Sequence, residues 1–148
     1  MARYLPRRLD MNAKTRQLQA RTQRFYLQVV KLVEALPSSV VTERVIPQLL
    51  DSAGSTDSNY RAACRGRTNR EFIAKLGIAV EEADESKGWL EALAGAQIGD
   101  ARTLKELIQE ADELVAIFTA SQKTAQQNAA RRNEIDKLQK RRRRMRRD

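Results

Sequence analysis

The stretch TNREFIAKLGIAVEEADESKGWLEALAGAQIGD, residues 68–100, contains one complete helix together with the signals that begin and end it. Thr68 and Glu71 form a capping-box pair, in which the threonine side chain accepts from the Glu71 amide and the glutamate reaches back. Gly95 and Gly99 can supply the C-cap and the turn that follow. Between these signals, apolar and small residues recur at the three- to four-residue spacing of an amphipathic helix: Phe72, Leu76, Ala79, Ala83, Ser86, Leu90 and Leu93.

The same periodicity predicts two helices before this stretch. The first ends at Pro37. The second begins near Thr42 and contains Pro47, which is tolerated in a first turn and kinks a helix elsewhere. Its middle, DSAGSTDSN (residues 51–59), is a poor helix former, but the apolar spacing resumes in phase at Tyr60. The predicted core positions are Phe25, Val29, Val30, Val33 and Leu36, then Val45, Ile46, Leu49, Leu50, Ala53, Tyr60, Ala63 and Cys64.

A fourth helix is predicted to open at Asp100. No glycine or proline follows Phe118, so this helix can continue into the C-terminal segment. Its predicted core positions are Leu104, Leu107, Ile108, Ala111, Leu114, Val115, Phe118 and Ala125. Because short connections make sequential helices antiparallel, we predict an all-α, up-down-up-down four-helix bundle. The chain then divides into a basic N-terminal extension (residues 1–20), the bundle (residues 21–127) and a basic C-terminal tail or helix extension (residues 128–148).

The residue types that the chain lacks exclude several classes of enzyme. There is no histidine, which excludes Ser-His-Asp and Cys-His catalysis, His-ligated zinc and Glu-x-x-His di-iron sites. The one cysteine, Cys64, permits no internal disulfide and is interpreted as a small core residue. Neither a signal peptide nor a membrane span is evident. We therefore expect a cytoplasmic protein that uses no cofactor, no metal and no membrane.

The net charge of +9 is concentrated at the two ends of the chain. Residues 1–24 carry seven basic and one acidic side chain, residues 128–148 carry ten and three, and the middle carries eleven and fifteen. In the predicted bundle, the start of helix one, the end of helix two, the start of helix three and the end of helix four share one pole. The basic residues predicted to converge there are Arg21, Arg24, Arg61, Arg65, Arg67, Arg70, Arg131 and Arg132.

The tail RRNEIDKLQKRRRRMRRD, residues 131–148, is the strongest functional signal, because such a run repels itself and phosphates would neutralise it. If the tail extends helix four, Ile135, Leu138 and Met145 fall near one stripe with arginines on the others. The alternatives are a solvated, disordered end for the tail and ion pairs with glutamates for the arginines of residues 61–70. The predicted nucleic-acid-binding residues are Arg61, Arg65, Arg67, Arg70, Arg131, Arg132, Lys140, Arg141, Arg142, Arg143, Arg144, Arg146 and Arg147.

A second stripe on helix three predicts a subunit interface. It consists of Ile78, Glu82, Glu85, Trp89 and Leu93, in which a tryptophan and aliphatic residues flank acids and suggest an apolar centre with a charged rim. The alternative is that Trp89 fills the core of its own bundle.

One enzymatic hypothesis rests on four carboxylates. Reflection about the turn near residue 97 puts Glu85 level with Glu110 and Glu82 level with Glu113, where they could hold magnesium. This spacing is similar to that of all-helical nucleotide pyrophosphohydrolases of the MazG type, which close the motif with aspartate. The abundance of acids in the chain makes chance matches easy, so this is a minor alternative.

Short motifs lie in and around the hairpin of helices two and three: LPSS (residues 36–39), RVIPQLL (residues 44–50), Asn59-Tyr60, Thr68-x-x-Glu71-Phe72, Ala83-Asp84-Glu85 and Trp89-Leu90. With these motifs, about residues 25–125 resemble the bacterial four-helix-bundle proteins related to the product of 23S rRNA intervening sequences. The resemblance implies a compact bundle that associates into a homopentameric ring. A more distant resemblance, to the accessory variability protein of diversity-generating retroelements, implies nucleic acid and a reverse transcriptase as partners.

The sequence therefore predicts a non-enzymatic, oligomeric bundle that binds RNA or DNA through a basic pole and an arginine-rich tail. It would act as an accessory factor to an enzyme such as a reverse transcriptase or another polymerase. The alternative is a protein–protein adaptor or structural ring that binds no nucleic acid.

Overall fold

Four α-helices account for nearly all of the described chain. The computed structural model describes the backbone of residues 5–146 and the side chains of residues 13–146. The helices are α1 (Leu5–Glu34), α2 (Val40–Cys64), α3 (Asn69–Gly95) and α4 (Ala101–Met145). No strand occurs within residues 5–146, and the prediction of an all-α fold with four helices is confirmed.

Polar side chains cap the starts of three helices. Ser39 and Thr42 form a full capping box at α2, which therefore starts slightly earlier than predicted. At α4, the Asp100 carboxylate accepts from the Thr103 amide at 2.9 Å, as the predicted start requires. The hydrogen bonds that Thr103 donates to the Asp100 carboxylate, above all the one from its backbone amide, lower the pKa of the Asp100 carboxyl below its ordinary value.

The predicted capping box of α3 forms in an altered version. The Thr68 side chain accepts from the Glu71 amide at 3.1 Å, as expected. The Glu71 carboxylate, however, accepts from the Arg67 amide at 2.7 Å and not from the amide of Thr68. It reaches one residue further back, and so ties the turn between α2 and α3 to the first turn of α3.

The polar middle of α2 is helical, as its apolar phase predicted, although its helix propensity is low. This segment is helical because its buried polar side chains have hydrogen-bond partners inside the protein. Ser86 of α3 donates to Ser52 at 2.9 Å, and Thr22 of α1 donates to the Asp57 carboxylate at 2.8 Å. Pro47 lies beyond the first turn of α2, where it removes one backbone hydrogen bond from the helix.

The core lies between the four helices and matches the predicted apolar stripes closely. The main difference is in α1, where Leu32 is 5% exposed and the predicted Val30 is only half-buried. Tyr60 stacks on Phe118 with ring centroids 5.2 Å apart, which joins α2 to α4. The largest fully buried apolar side chains are Phe25, Phe118, Leu49, Leu76, Leu90, Leu93, Leu104, Leu114 and Val29.

Contacts between helices follow the order of the chain. The α3 helix packs against α2 and α4, and α1 packs against α2 and more sparsely against α4. Asn69 Nδ2 donates to the Ala125 carbonyl at 3.2 Å, Gln122 Nε2 donates to the Ile73 carbonyl at 3.1 Å, and Lys87 Nζ lies 2.9 Å from an Asp112 oxygen. Residues progressively later in α3 therefore contact residues progressively earlier in α4.

Two helices extend further than the predicted bundle. The α1 helix begins at Leu5 and runs without a break past residue 20, where the N-terminal extension was predicted to end. The α4 helix is continuous past residue 127, where the C-terminal segment was predicted to begin. Both predicted boundaries therefore fall inside a helix.

The turn between α3 and α4 uses left-handed backbone at two positions. Gln97 has φ 57° and Gly99 has φ 100°, whereas Gly95, one of the two predicted turn glycines, stays in the helix. A Cβ at Gly99 would also approach Leu36 Cδ2 to 2.9 Å. The end of α1 and this turn are therefore in close contact.

We predict that Gly99→Ala lowers the free energy of unfolding by about 1–2 kcal/mol, because the residue combines a positive φ with a close contact. Gly88→Ala is the matched control, since nothing lies within 4 Å of a Cβ there and the residue is inside α3. The control should gain about 0.5–1 kcal/mol. Urea unfolding measures both, and equal effects of the two substitutions would contradict this account of the turn.

Candidate nucleic-acid interface

The C-terminal part of α4 projects beyond the start of α3. Asn69, the first residue of α3, contacts Ala125 of α4, and α4 continues for twenty further residues to Met145. At 1.5 Å per residue this is about 30 Å of helix. Every described side chain in residues 130–146 is exposed. Of the two predicted forms of the C-terminal segment, the structure has the helix extension, because α4 continues to Met145.

We call residues 126–146 the projecting helix. Nine of its residues are basic and only two, Glu134 and Asp136, are acidic. None of its described side chains lies within 4 Å of an oppositely charged one, although charged groups abound in this segment. Arg147, the last predicted site residue, lies outside the described residues.

The projecting helix has two different faces. At about 100° per residue, Ile135, Leu138, Arg142 and Met145 share one side. We call this the seam face. The rest of the helix surface is mainly cationic: Lys137, Lys140, Arg143 and Arg144 lie opposite the seam face with Asp136 among them, and Arg132 and Arg141 lie nearer its edges. We call it the cationic face.

Four chain segments meet near the base of the projecting helix. A groove of about 540 Å³ is lined by Lys14 and Leu18 of α1, Tyr60 of α2, Phe72 of α3, and Ile117 and Ser121 of α4. The neighbouring turn between α2 and α3 carries Arg65 and Arg67, and α3 begins with Asn69 and Arg70; all three arginines are exposed. The structure therefore brings Arg65, Arg67 and Arg70 to the end of the molecule from which the projecting helix leaves, and we call these three the turn arginines.

Arg61 differs from the turn arginines because it has an acidic partner in its own chain. Its guanidinium lies 3.0 Å from the Asp57 carboxylate, whose side chain is nearly fully buried and also accepts from Thr22. Arg61 itself is half exposed. It therefore serves first to neutralise a buried carboxylate between α1 and α2, a structural role that the sequence analysis did not identify.

Arg21 and Arg24 do not lie at the basic pole, which corrects the prediction for these two residues. The prediction assumed that α1 starts near residue 21, but α1 starts at Leu5 and both arginines lie in its middle. Arg21 binds two carboxylates of α4, with Nε 2.6 Å from Glu110 and Nη2 in contact with Glu113. The hydrogen bond to Glu110 is the main reason why the pKa of Arg21 is raised.

The Arg21 bridge crosses an open seam between α1 and α4. On the side of the bridge away from the basic end, a groove of about 600 Å³ is lined by residues that include Arg24, Leu32, Thr103 and Glu106. Arg21 lines this groove and also the groove at the basic end. One ion-paired side chain therefore holds the two helices together where their packing is sparse.

The predicted interface stripe on α3 is partly open to solvent. Ile78 is 37% exposed, Glu85 is exposed, and Glu82 and Trp89 are half-buried. Trp89 packs one side against the core and its indole Nε1 donates to Glu85 at 3.3 Å. Trp89 therefore contributes to the core of its own bundle, and the subunit interface stays a prediction.

The four carboxylates of the hydrolase hypothesis do not come together. Glu110 and Glu113 face α1, where Arg21 binds both. Glu82 faces α2 instead: its pKa is raised by burial and then by the charges of Glu85, Glu81 and Asp51 of that helix. Within residues 13–146, no group of three or more acidic or cysteine side chains is placed to hold a metal ion. The positions of these residues along the helix axes are as predicted, but their side chains point toward different neighbouring helices.

These features define a four-helix protein with a basic, helical projection and no metal centre among its described residues. The chain belongs to the 23S rRNA-intervening sequence protein family, whose model matches residues 14–120. The family match thus extends further into α1 than the motifs indicated, and it ends before the projecting helix. Within residues 5–146, none of the helices has the length and hydrophobicity needed to cross a bilayer.

A solved structure supports the same fold. The chain is similar to a protein of unknown function from the S23 ribosomal protein family of Bacteroides thetaiotaomicron VPI-5482, with a TM-score of 0.64 and 25% identity. The match covers 74% of this chain and 98% of that one. A search among curated proteins found no match.

We predict that Arg21→Gln destabilises the protein by about 1 kcal/mol, because it removes the bridge and leaves two carboxylates facing each other. Arg24→Gln removes the same charge from the same helix, has no such partners among the described side chains and should change stability by less than about 0.5 kcal/mol. Denaturant unfolding at low salt measures both. If the two variants unfold at the same midpoint, the bridge does not hold α1 to α4.

Proposed function

We propose that this protein binds the phosphate backbone of nucleic acid, RNA in the first place, and is not an enzyme. The observation that carries the proposal is the projecting helix, where basic side chains stand exposed on a continuous helix and have no acidic partner among the described side chains. Phosphates are the partners that such a surface lacks, and their binding would release condensed counterions. The turn arginines add to the same surface.

RNA is favoured by the family to which the chain belongs, since that family is described by its origin in 23S rRNA intervening sequences. Backbone contacts position a nucleic acid without reading its sequence, and nothing among the predicted site residues suggests readout of bases. We therefore propose binding that depends on charge and shape. A role in the cytoplasm, as an accessory factor to a polymerase or a reverse transcriptase, is a further part of the proposal.

The arrangement we propose for the helices is up-down-up-down. It is supported by the opposite order of partners along α3 and α4, and by the groove in which the early part of α1, the end of α2 and the start of α3 meet. We further propose that copies associate as a homopentameric ring, as the family resemblance implies. Parallel copies would present several projecting helices to one nucleic acid, and many weak phosphate contacts would then act together.

A protein–protein adaptor is the second candidate function, and the half-buried Trp89 in the surface stripe of α3 favours it. The two functions differ in their salt dependence. An adaptor would hold its partner at high salt without the projecting helix, whereas phosphate binding fails at high salt. The hydrolase alternative has no such support, because its four carboxylates face different neighbours.

We predict that a triple variant of the cationic face, Arg141→Gln with Arg143→Gln and Arg144→Gln, binds RNA much more weakly. Each lost phosphate contact should reduce the slope of log affinity against log salt by about 0.7–0.9, so three reduce it by about 2–3. Fluorescence anisotropy with a labelled RNA at several salt concentrations measures the slope. Removal of residues 131–148 should have a larger effect of the same kind.

The matched control neutralises three exposed cations far from the basic end, Lys31, Arg44 and Lys105, which also lack ion-pair partners among the described side chains. It changes the net charge by the same amount and should leave the slope nearly unchanged. Equal losses in both triple variants would mean that only net charge matters. Unchanged affinity after removal of residues 131–148 would refute the role of the projecting helix.

A further inference from the structure

The surface stripe of α3 is an acidic face with no cation of its own. Glu82 lies among Glu81, Glu85 and Asp51, and their charges together with burial raise its pKa. Among the described side chains, none of these four carboxylates has a lysine or arginine within 4 Å. Elsewhere on the same helix, Lys87 does bind acids.

This acidic face also has apolar ends. Ile78, Glu82, Glu85 and Trp89 are spaced by four, three and four residues, which aligns them along one side of α3. They span about 16 Å. An exposed isoleucine and a half-buried tryptophan therefore flank two glutamates that lack a positive partner.

The seam face of the projecting helix has the complementary character. Ile135, Leu138, Arg142 and Met145 are spaced by three, four and three residues and span about 15 Å. Ile135, Leu138 and Met145 are 47%, 53% and 80% exposed, so large apolar side chains stand in water around an arginine. Both faces thus have the spacing with which two helices pack side by side.

The two faces of one molecule cannot meet. Asn69 contacts Ala125, so the projecting helix leaves the bundle at the level where α3 starts. Ile78 lies about 13 Å from that level in the opposite direction, and Trp89 lies about 30 Å away. Because α4 is continuous to Met145, it does not fold back over α3.

We propose that the seam face of the projecting helix docks on the acidic face of α3 in a second copy of this chain. The occupant is another copy because the charges on the two faces are opposite and their lengths match, and because helix continuity keeps the two faces of one copy apart. Arg142 then lies against Glu82 and Glu85, and the apolar residues at either end cover one another. Such an interface has charge pairs at its centre and apolar contacts at its ends.

This docking deepens the proposed function and rests on its statement that copies associate. Each copy gives one helix and receives one, which can close as a reciprocal pair or continue head-to-tail around a ring. The cationic face points away from the contact. One segment can therefore join two copies and still offer Lys140, Arg143 and Arg144 to phosphates.

A charge-swap experiment tests the contact. Nuclease-treated full-length protein is examined by sedimentation equilibrium as the unmodified chain, as Arg142→Glu, as Glu85→Arg and as the double variant. Each single variant should raise the dissociation constant between copies by about tenfold or more, because like charges then face each other. The double variant should recover most of the affinity, since it restores opposite charges.

The matched control is Arg144→Glu, a substitution on the side of the helix that lies opposite the seam face. It should leave self-association unchanged and weaken RNA binding, which separates the docking contact from the proposed function. The docking proposal is overturned if the unmodified chain is a monomer, if Arg142→Glu associates normally, or if the double variant stays as weak as the single ones. Unchanged RNA affinity of Arg144→Glu would count against the proposed function alone. Circular dichroism confirms that every variant is folded.

Discussion

The packing of α3 against α4 sets how far α4 stands out from the molecule. The amide of Asn69 fixes the start of α3 to the carbonyl of Ala125, and Gln122 repeats the contact one turn further into the bundle. From residue 130 to residue 146 every side chain of α4 is exposed, and backbone hydrogen bonds within the helix keep this segment extended. The placement of every basic side chain between Arg131 and Arg146 depends on this one register.

The arginines of the chain divide by whether an acid of the same chain lies beside them. Arg21 closes the seam between α1 and α4, and Arg61 neutralises the buried Asp57, so these two contribute to the fold. Loss of Arg61 would leave the buried charge of Asp57 uncompensated, so this arginine is a poor candidate for a reversible partner. The turn arginines and those of the projecting helix have no such partner among the described side chains and face solvent.

Much of the fold could be predicted because each helix carries its own local signals. The start of α3 at Thr68, the start of α4 at Asp100 and the apolar stripes of α2 to α4 all depend on neighbouring residues, and the structure has them. The predicted start of α1, near residue 21, was wrong because no glycine or apolar stripe marks where this helix begins. The helix continues through polar residues to Leu5. Placing Arg21 and Arg24 at the basic pole followed from that error.

The candidate site was harder to predict, because it depends on where each side chain points as well as on its position along the helix. Reflection about the turn correctly gave the level of the four carboxylates, but only packing reveals that Glu110 faces α1 while Glu82 faces α2. The link between Thr22 and Asp57 joins residues 35 positions apart, and no local pattern announces it. The distribution of basic residues at the C-terminal end, by contrast, could be read directly.

The most direct test of this account is the distance across the base of the projecting helix. Spin labels are attached at Ala120→Cys and Gln139→Cys in a chain that also carries Cys64→Ala, and the labelled protein is diluted with unlabelled protein. Double electron–electron resonance then measures the distance between the two labels. An unbroken α4 predicts one narrow distribution near 28 Å, from 19 residues at about 1.5 Å each. A broad distribution, or a maximum below about 20 Å, would show that α4 breaks or folds back, and would contradict the account.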